Sequence, residues 1–350
     1  MTESALRRSV GKDVAPAACG ERSLSVVVPL FNEAAGLPAL HQRLSEVLGR
    51  LRKTRGLASE IVYVDDGSRD ATLTIARGLP AGASDLQLVA LSRNFGKEAA
   101  LLAGLDHARH QAVLFMDGDG QHPPDLIDTL VGHWLDEGYD VAYTAKAHRE
   151  NEPLLRRIGV KVFYSVINWG ALQKIPEDAG DFRLLAPRAV AALRQLPERN
   201  RFFKGLASWI GFRQIRVDYK PAQRAHGATA FKLRSLVGLS IEGLTSFSVA
   251  PLRLASLLGI LLAATALIFG GIILVQTLIY EESVPGYPSL IVGLMVLGGV
   301  QLIMIGIMGE YIGKILSELK QRPVYFVAEH SVKTAEGAER PTESAQAAAE

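Results

Sequence analysis

The chain has 350 residues, 48% hydrophobic and 21% charged, and its 38 Lys and Arg against 36 Asp and Glu leave a formal net charge of +2. This apolar content excludes a chain disordered throughout, and the single cysteine, Cys19, excludes an intrachain disulfide scaffold. The even charge balance gives no global nucleic-acid-binding surface. A mean hydropathy of +0.16 is high for a soluble enzyme, so apolar residues must be concentrated somewhere along the chain.

Residues 1–22 lack periodicity and read as a flexible tail, with no charged segment leading into an apolar run as a cleavable signal peptide requires. LSVVVPL at 24–30 is a short β-branched run of the kind that forms a buried parallel strand. Leu37, Leu40, Leu44, Val47, Leu48 and Leu51 then recur at helical spacing, predicting an amphipathic helix over 35–53. The alternation continues with strands at 60–66, 86–91, 112–117 and 140–144, and helices at 70–79, 96–109 and 124–137. Strands alternating with helices predict βαβ units: an α/β, Rossmann-like domain over 23–235 with a mainly parallel sheet. Residues 186–235 carry eleven Lys and Arg and only two acids, Glu198 and Asp218, which suits either a solvated or headgroup-facing patch or phosphate binding.

An amphipathic membrane-interface segment is expected at 236–253. Two uncharged runs follow, Leu254 to Tyr280 and Ser283 to Gly309. Each exceeds the about 20 apolar residues that a transmembrane helix needs. A pair of buried core helices would ordinarily keep a polar stripe. The reading is a C-terminal two-helix transmembrane hairpin, with spans at 254–280 and 289–313. Lys232, Arg234 and Arg253 precede it, Lys314, Lys320 and Arg322 follow it, and the connection carries only Glu281 and Glu282. The positive-inside rule therefore places the large domain and both termini in the cytoplasm. Residues 314–330 form a cytosolic segment and 331–350 a second flexible tail.

In parallel α/β sheets, ligands bind beyond the carboxyl ends of the strands, and the polar motifs of this chain lie there. Pro29-Leu30-Phe31-Asn32-Glu33 ends the first strand without a GxGxxG cradle; Asn32 and Glu33 suit either a helix cap or a site. Asp65-Asp66-Gly67-Ser68 ends the second strand. Adjacent carboxylates repel, so this is either a turn or a pair in which one member accepts hydrogen bonds from a ligand or faces a cation. Met116-Asp117-Gly118-Asp119-Gly120-Gln121-His122 ends the fourth strand, with oxygen-bearing side chains at alternate positions. These can converge on Mg²⁺ together with diphosphate oxygens, although a plain acidic turn has the same composition. Later come Asp178-Ala179-Gly180-Asp181-Phe182-Arg183 and Arg224-Ala225-His226-Gly227; with Lys232, the latter group lies shortly before the first span.

In this order, VVVPLFNE, VDDGS, LSRNFGKEAAL, MDGDGQHPPD, DAGDFRLL, RFFKGLASWIGF, RAHG, two apolar runs and GEYIGKILSELKQRPVYFV resemble family 2 glycosyltransferases of GT-A fold. More narrowly, they resemble the polyisoprenyl-phosphate glycosyltransferases. The resemblance runs from about residue 23 to residue 327 and implies inverting transfer of one sugar from a nucleotide sugar, UDP-linked by analogy, to a polyprenyl phosphate at the bacterial inner membrane. On that analogy Pro29, Phe31, Glu33, Val64, Asp66, Asp117, Gly118 and Lys146 bind the nucleotide sugar, and Asp117, Asp119 and Gln121 hold Mg²⁺ or Mn²⁺. Arg156, Arg224 and Lys232 receive the acceptor phosphate, and Asp178 and Asp181 orient the sugar or balance the cations. A homo-oligomer, a tetramer in relatives, is also implied. The chain departs from the family at Ala230, where a Gly-x-Ser-Lys run commonly has its lysine; Lys232 lies two positions later. A processive polysaccharide synthase would carry a Gln-x-x-Arg-Trp motif, which is missing here. A silent sugar-nucleotide-binding scaffold and a transferase to a non-prenyl lipid are the other readings.

Overall fold

The computed structural model describes residues 22–146, 179–196, 198, 203–219, 250–279, 286–335 and 339–341. The first half alternates as its periodicity dictates: β1 (Ser23–Leu30), α1 (Leu37–Arg55), β2 (Ala58–Asp65), α2 (Thr72–Gly78), β3 (Asp85–Leu91), α3 (Lys97–His107), β4 (Ala112–Phe115), α4 (Leu126–Leu135) and β5 (Val141–Lys146). After these come β6 (Ala179–Leu185), α5 (Pro187–Gln195), α6 (Phe203–Trp209), β7 (Gln214–Tyr219), α7 (Ala250–Ile279), α8 (Tyr287–Leu319), β8 (Val327–Lys333) and β9 (Glu339–Pro341).

One nine-stranded sheet runs β7-β5-β6-β4-β1-β2-β3-β8-β9. Its centre is parallel, with β1 between β2 and β4 and β3 beside β2. The flanks differ from this pattern. β6 enters between β4 and β5 and is antiparallel to both, and β8 is antiparallel to β3. The α/β domain is therefore a parallel core with mixed edges. Val26, Val28, Ile61, Tyr63 and Leu114 face the leucines of α1 and the apolar side of α4. Val27, Val62, Val64, Val113 and Phe115 face α3, α5 and α6. Alternation along each central strand supplies both cores, which is why these strands read as continuous β-branched runs.

The C-terminal part returns to the domain. Residues 331–333 and 339–341, read from composition as part of a tail, are strand in the structure. The Ser92 N–H donates to the Phe326 carbonyl at 2.9 Å. The Tyr325 hydroxyl donates to Asp106 at 2.8 Å, and Arg77 pairs with Glu329 at 2.5 Å. The polar sequence VAEHSVK has little strand signal of its own; the open edge of β3 provides the backbone partners.

α7 and α8 are 30 and 33 residues long and take in most of the two apolar runs. Leu267, Phe269, Leu294, Met295 and Leu302 on them are exposed. Within the described residues, Gly293–Leu319 is long and apolar enough to cross a membrane, and Gly259–Ile272 is a shorter apolar stretch.

Candidate active site

A cavity of about 460 Å³ opens at the carboxyl ends of the central strands. Pro29, Leu30, Phe31 and Glu33 line it after β1, Asp66 after β2, and Asp117, Gly118, Asp119 and Gln121 after β4. Asn94, Gly96, Lys97 and Ala100 complete the lining from the β3–α3 connection and the first turns of α3.

The turns around this cavity are stitched to one another. Asn32 has a left-handed backbone (φ 58°) and caps no helix; its side chain accepts the Arg69 N–H at 2.9 Å, and its own N–H donates to Ser68 at 3.0 Å. The Glu33 N–H donates to Thr72 Oγ1 at 2.8 Å. The two neighbouring carboxylates divide their tasks. Asp65 accepts the Ser68 N–H at 3.2 Å, closing the turn. Asp66 accepts the Phe95 N–H at 2.7 Å and the Gly96 N–H at 3.0 Å, one on each oxygen. Burial pushes the Asp66 carboxyl above its ordinary value; the two N–H groups oppose the shift and Asp65 reinforces it. Gly67 allows the close approach, since a Cβ there would lie 2.6 Å from the Arg93 carbonyl carbon, at a φ of 67°.

The turn after β4 is built around His122. This buried imidazole stacks on Phe182 at 5.1 Å and accepts the Asp117 N–H at Nδ1, 3.2 Å away. Burial lowers its pKa, which fits a neutral ring acting as a hydrogen-bond acceptor. Asp119 accepts the Gln121 N–H at 3.0 Å. Gly118 lies against β1; a Cβ would fall 2.8 Å from Leu30 Cδ2 and 3.0 Å from the Pro29 carbonyl oxygen.

Lys97 joins two strands across the cavity. Its Nζ is 2.5 Å from Asp117 Oδ1 and 2.6 Å from Asp181 Oδ2. Burial alone would lower its pKa, but Asp181 and Asp117 outweigh this and raise it, so the side chain is an ammonium. Near the same acids, the buried Tyr219 hydroxyl has no hydrogen-bond partner among the described residues. Burial, with the charges of Asp117, Asp119 and Asp181, pushes its pKa up to about 12, so it remains a protonated donor.

No three His, Cys, Asp or Glu side chains converge on one metal position among the described residues. Nevertheless, Asp117, Asp119 and Gln121 share one wall of the cavity. Asp117, Asp119 and Asp181 bring three negative charges to Lys97's one, an excess that suits a hard divalent cation with oxygen ligands.

Of the residues expected at the site from sequence, Pro29, Phe31, Glu33, Asp66, Asp117, Gly118, Asp119 and Gln121 line one cavity, and Asp181 reaches it through Lys97. Val64 does not line it: strand alternation turns its side chain into the core with α3, fully buried. The Lys146 backbone ends β5 in register with Tyr219. Arg156, Asp178, Arg224 and Lys232 lie outside the described residues.

Four arginines of the basic stretch serve the scaffold. Arg188 pairs with Asp140, and Arg194 donates to the Leu105 and Ala108 carbonyls at 2.8 Å. Arg213 donates to the Glu137 carbonyl at 3.2 Å, and Arg216 pairs with Asp218 at 2.7 Å. Lys97 was missed as a site residue. A weak signal for it was available: a lysine at the first position of a helix opposes the helix dipole, a cost that a nearby anion offsets.

The model of the family described as "Glycosyl transferase family 2" matches residues 25–191. A bactoprenol glucosyl transferase of Shigella phage SfII is 41% identical over 306 residues, 87% of this chain and 97% of that protein. The chain belongs to glycosyltransferase family 2. An uncharacterized glycosyltransferase of Synechocystis is 42% identical over 87% of this chain and 95% of its own length. A prophage bactoprenol glucosyl transferase homolog of Escherichia coli K12 is 40% identical over 87% and 98%. This family 2 member is accordingly a glycosyltransferase with a GT-A α/β domain, and its cavity is the candidate active site.

Proposed function

We propose that this glycosyltransferase moves a single sugar from a nucleotide sugar, UDP-glucose first, to a polyprenyl phosphate at the cytoplasmic face of the membrane, with inversion at the anomeric carbon. The observation that carries this reading is that Phe31, Glu33 and Asp66 line the same cavity as Asp117, Asp119 and Gln121, with Lys97 bridging Asp117 and Asp181. The names of the relatives, matched over nearly their whole length, support a polyprenyl acceptor.

The chemistry needs little base catalysis. A phosphomonoester has its second pKa near about 6, so the acceptor is already an anion at neutral pH. Its oxygen forms a bond to the anomeric carbon as the bond from that carbon to the diphosphate oxygen breaks, and the nucleoside diphosphate leaves with the electron pair. The barrier is the approach of two anions. Asp117, Asp119 and Gln121 would hold Mg²⁺ or Mn²⁺, which would supply positive charge for the departing diphosphate. Lys97 contributes an ammonium to the same space. Asp181 holds that ammonium, a role better suited to it than that of general base. Asp178 could orient the sugar. Arg156, Arg224 and Lys232 are assigned to the acceptor phosphate, with Lys146 toward the donor.

α7 and α8, with their exposed apolar side chains, are proposed as a hairpin of two spans. β8 supports this arrangement, because the chain leaving α8 must reach the edge of β3 in the catalytic domain. The domain and the end of α8 therefore share one side of the membrane, the cytoplasmic side by the charge of the flanks. Arg224→Ala is expected to raise the Michaelis constant for lipid phosphate more than that for nucleotide sugar; an equal rise in both would remove its acceptor role.

A further inference from the structure

Lys97 is a cation placed where a cation is expected to bind. Its ammonium contacts Asp117, one of the residues assigned to the divalent metal, and Asp181 on β6. A metal ion using that oxygen of Asp117 and an ammonium 2.5 Å from it would compete for the same lone pairs and repel each other. The side chain is 41% exposed and unbranched, and it lines the cavity, so it has room to move toward an anion entering there.

We propose that Lys97 makes capture of the divalent cation depend on a nucleoside diphosphate: without diphosphate it ties Asp117 to Asp181, and diphosphate oxygens draw the ammonium off and release Asp117. This deepens the proposed function and rests on its nucleotide-sugar reading. Lys97 is then a positioning residue that couples two ligands, and the coupling is reciprocal, because whatever diphosphate gives to metal binding, metal gives to diphosphate binding. It also guards the site. A cluster of carboxylates without a counter-ion would take up free cations, whereas this one favours a metal and a diphosphate together.

The test is a titration of Mn²⁺ into the full-length protein in detergent, with free Mn²⁺ read by electron paramagnetic resonance, with and without UDP. In the native protein UDP should tighten Mn²⁺ binding by roughly tenfold or more. Without UDP, Lys97→Met should bind Mn²⁺ roughly tenfold more tightly than the native protein, with the effect of UDP greatly reduced. Lys97→Arg, which keeps the charge, should behave as the native protein does, and Lys97→Gln should repeat the methionine result. Unchanged or weaker Mn²⁺ binding by Lys97→Met and Lys97→Gln, with the native protein still transferring sugar, overturns the inference and leaves the proposed function standing. A native protein that neither binds Mn²⁺ with UDP nor transfers sugar overturns both.

Discussion

Asp66 sets the position of Lys97 without touching it. The Asp66 carboxylate accepts the Phe95 and Gly96 N–H groups, and Lys97 follows directly as the first residue of α3. From there its ammonium spans Asp117 and Asp181. A carboxylate at the end of β2 thus fixes a cation that serves the loop after β4. Asp66→Asn should disturb this relay, because an amide presents one acceptor and one donor to two N–H groups. The substitution should cost about 1–3 kcal/mol of stability, the penalty of a buried donor left unpaired. It should also raise the Michaelis constant for the nucleotide sugar; an unchanged constant would detach Asp66 from the donor side of the site.

Tyr219 gives a prediction in which stability and activity part. Its buried hydroxyl lacks a partner among the described residues and lies within the electrostatic reach of the three aspartates. Tyr219→Phe should stabilise the ligand-free protein by about 1 kcal/mol in chemical denaturation, since an unsatisfied polar group leaves the interior. It should also lower transfer, since a donor that stays protonated up to about pH 12 is lost. A destabilised variant with full activity would show that the hydroxyl serves the scaffold alone.

Two histidines make the fold sensitive to acid. His41 Nε2 is 2.9 Å from the Pro80 carbonyl and must donate to it, so Nδ1 accepts the Tyr63 hydroxyl at 3.2 Å. His330 Nε2 donates to Gln87 Oε1 at 2.8 Å, whose amide nitrogen donates to the buried Glu60. Burial lowers the pKa of both, with Lys333 adding to the effect at His41, and His107 and Arg109 at His330. Their unfolded forms take up a proton near about pH 6.5. Below that pH the unfolded chain binds more protons than the native one, so this part of the stability is present above about pH 6.5 and is lost as pH falls toward the lowered folded values. The melting temperature should therefore drop between about pH 7 and pH 5, and less steeply in His41→Gln and His330→Gln. Equal slopes in all three proteins would remove the histidines from the account.

The return strand should be required for a stable domain. Ending the chain after Arg322 removes β8, its ladder with β3, the Arg77–Glu329 pair and the Tyr325–Asp106 hydrogen bond. It also leaves β3 as a bare edge. The shortened protein should melt lower and aggregate more readily than the full chain, as seen by light scattering during heating. A shortened protein with the full chain's melting temperature and scattering would contradict this role for β8.

The parallel centre of the sheet was legible because its strands are buried on both faces and carry apolar runs rich in β-branched residues, as in VVV and IVYV, while α1 and α4 show one apolar side each. The acids at the strand ends were legible for a related reason: they are costly there unless something binds them. The edges were harder to read. β6 lies antiparallel between β4 and β5, a placement that no local pattern encodes, and β8 is recruited by an open edge. At the site, spacing located Asp117, Asp119 and Gln121 but could not show that Val64 turns inward or that Asp66 is already engaged by a loop 29 residues later. Lys97 and Tyr219 reach the acids only through tertiary structure, although a lysine opening α3 was a visible anomaly.

The most direct test of the central claim is a transfer assay with purified full-length protein, undecaprenyl phosphate and a panel of nucleotide sugars, with the lipid product read by mass spectrometry. With Mn²⁺ or Mg²⁺, one donor should add a single sugar to the lipid phosphate. Chelation of the metal, or Asp119→Ala in a protein that still folds and partitions into membranes, should abolish the product. Absence of a glycolipid with every donor, or native-like turnover by Asp119→Ala under chelation, would contradict the account.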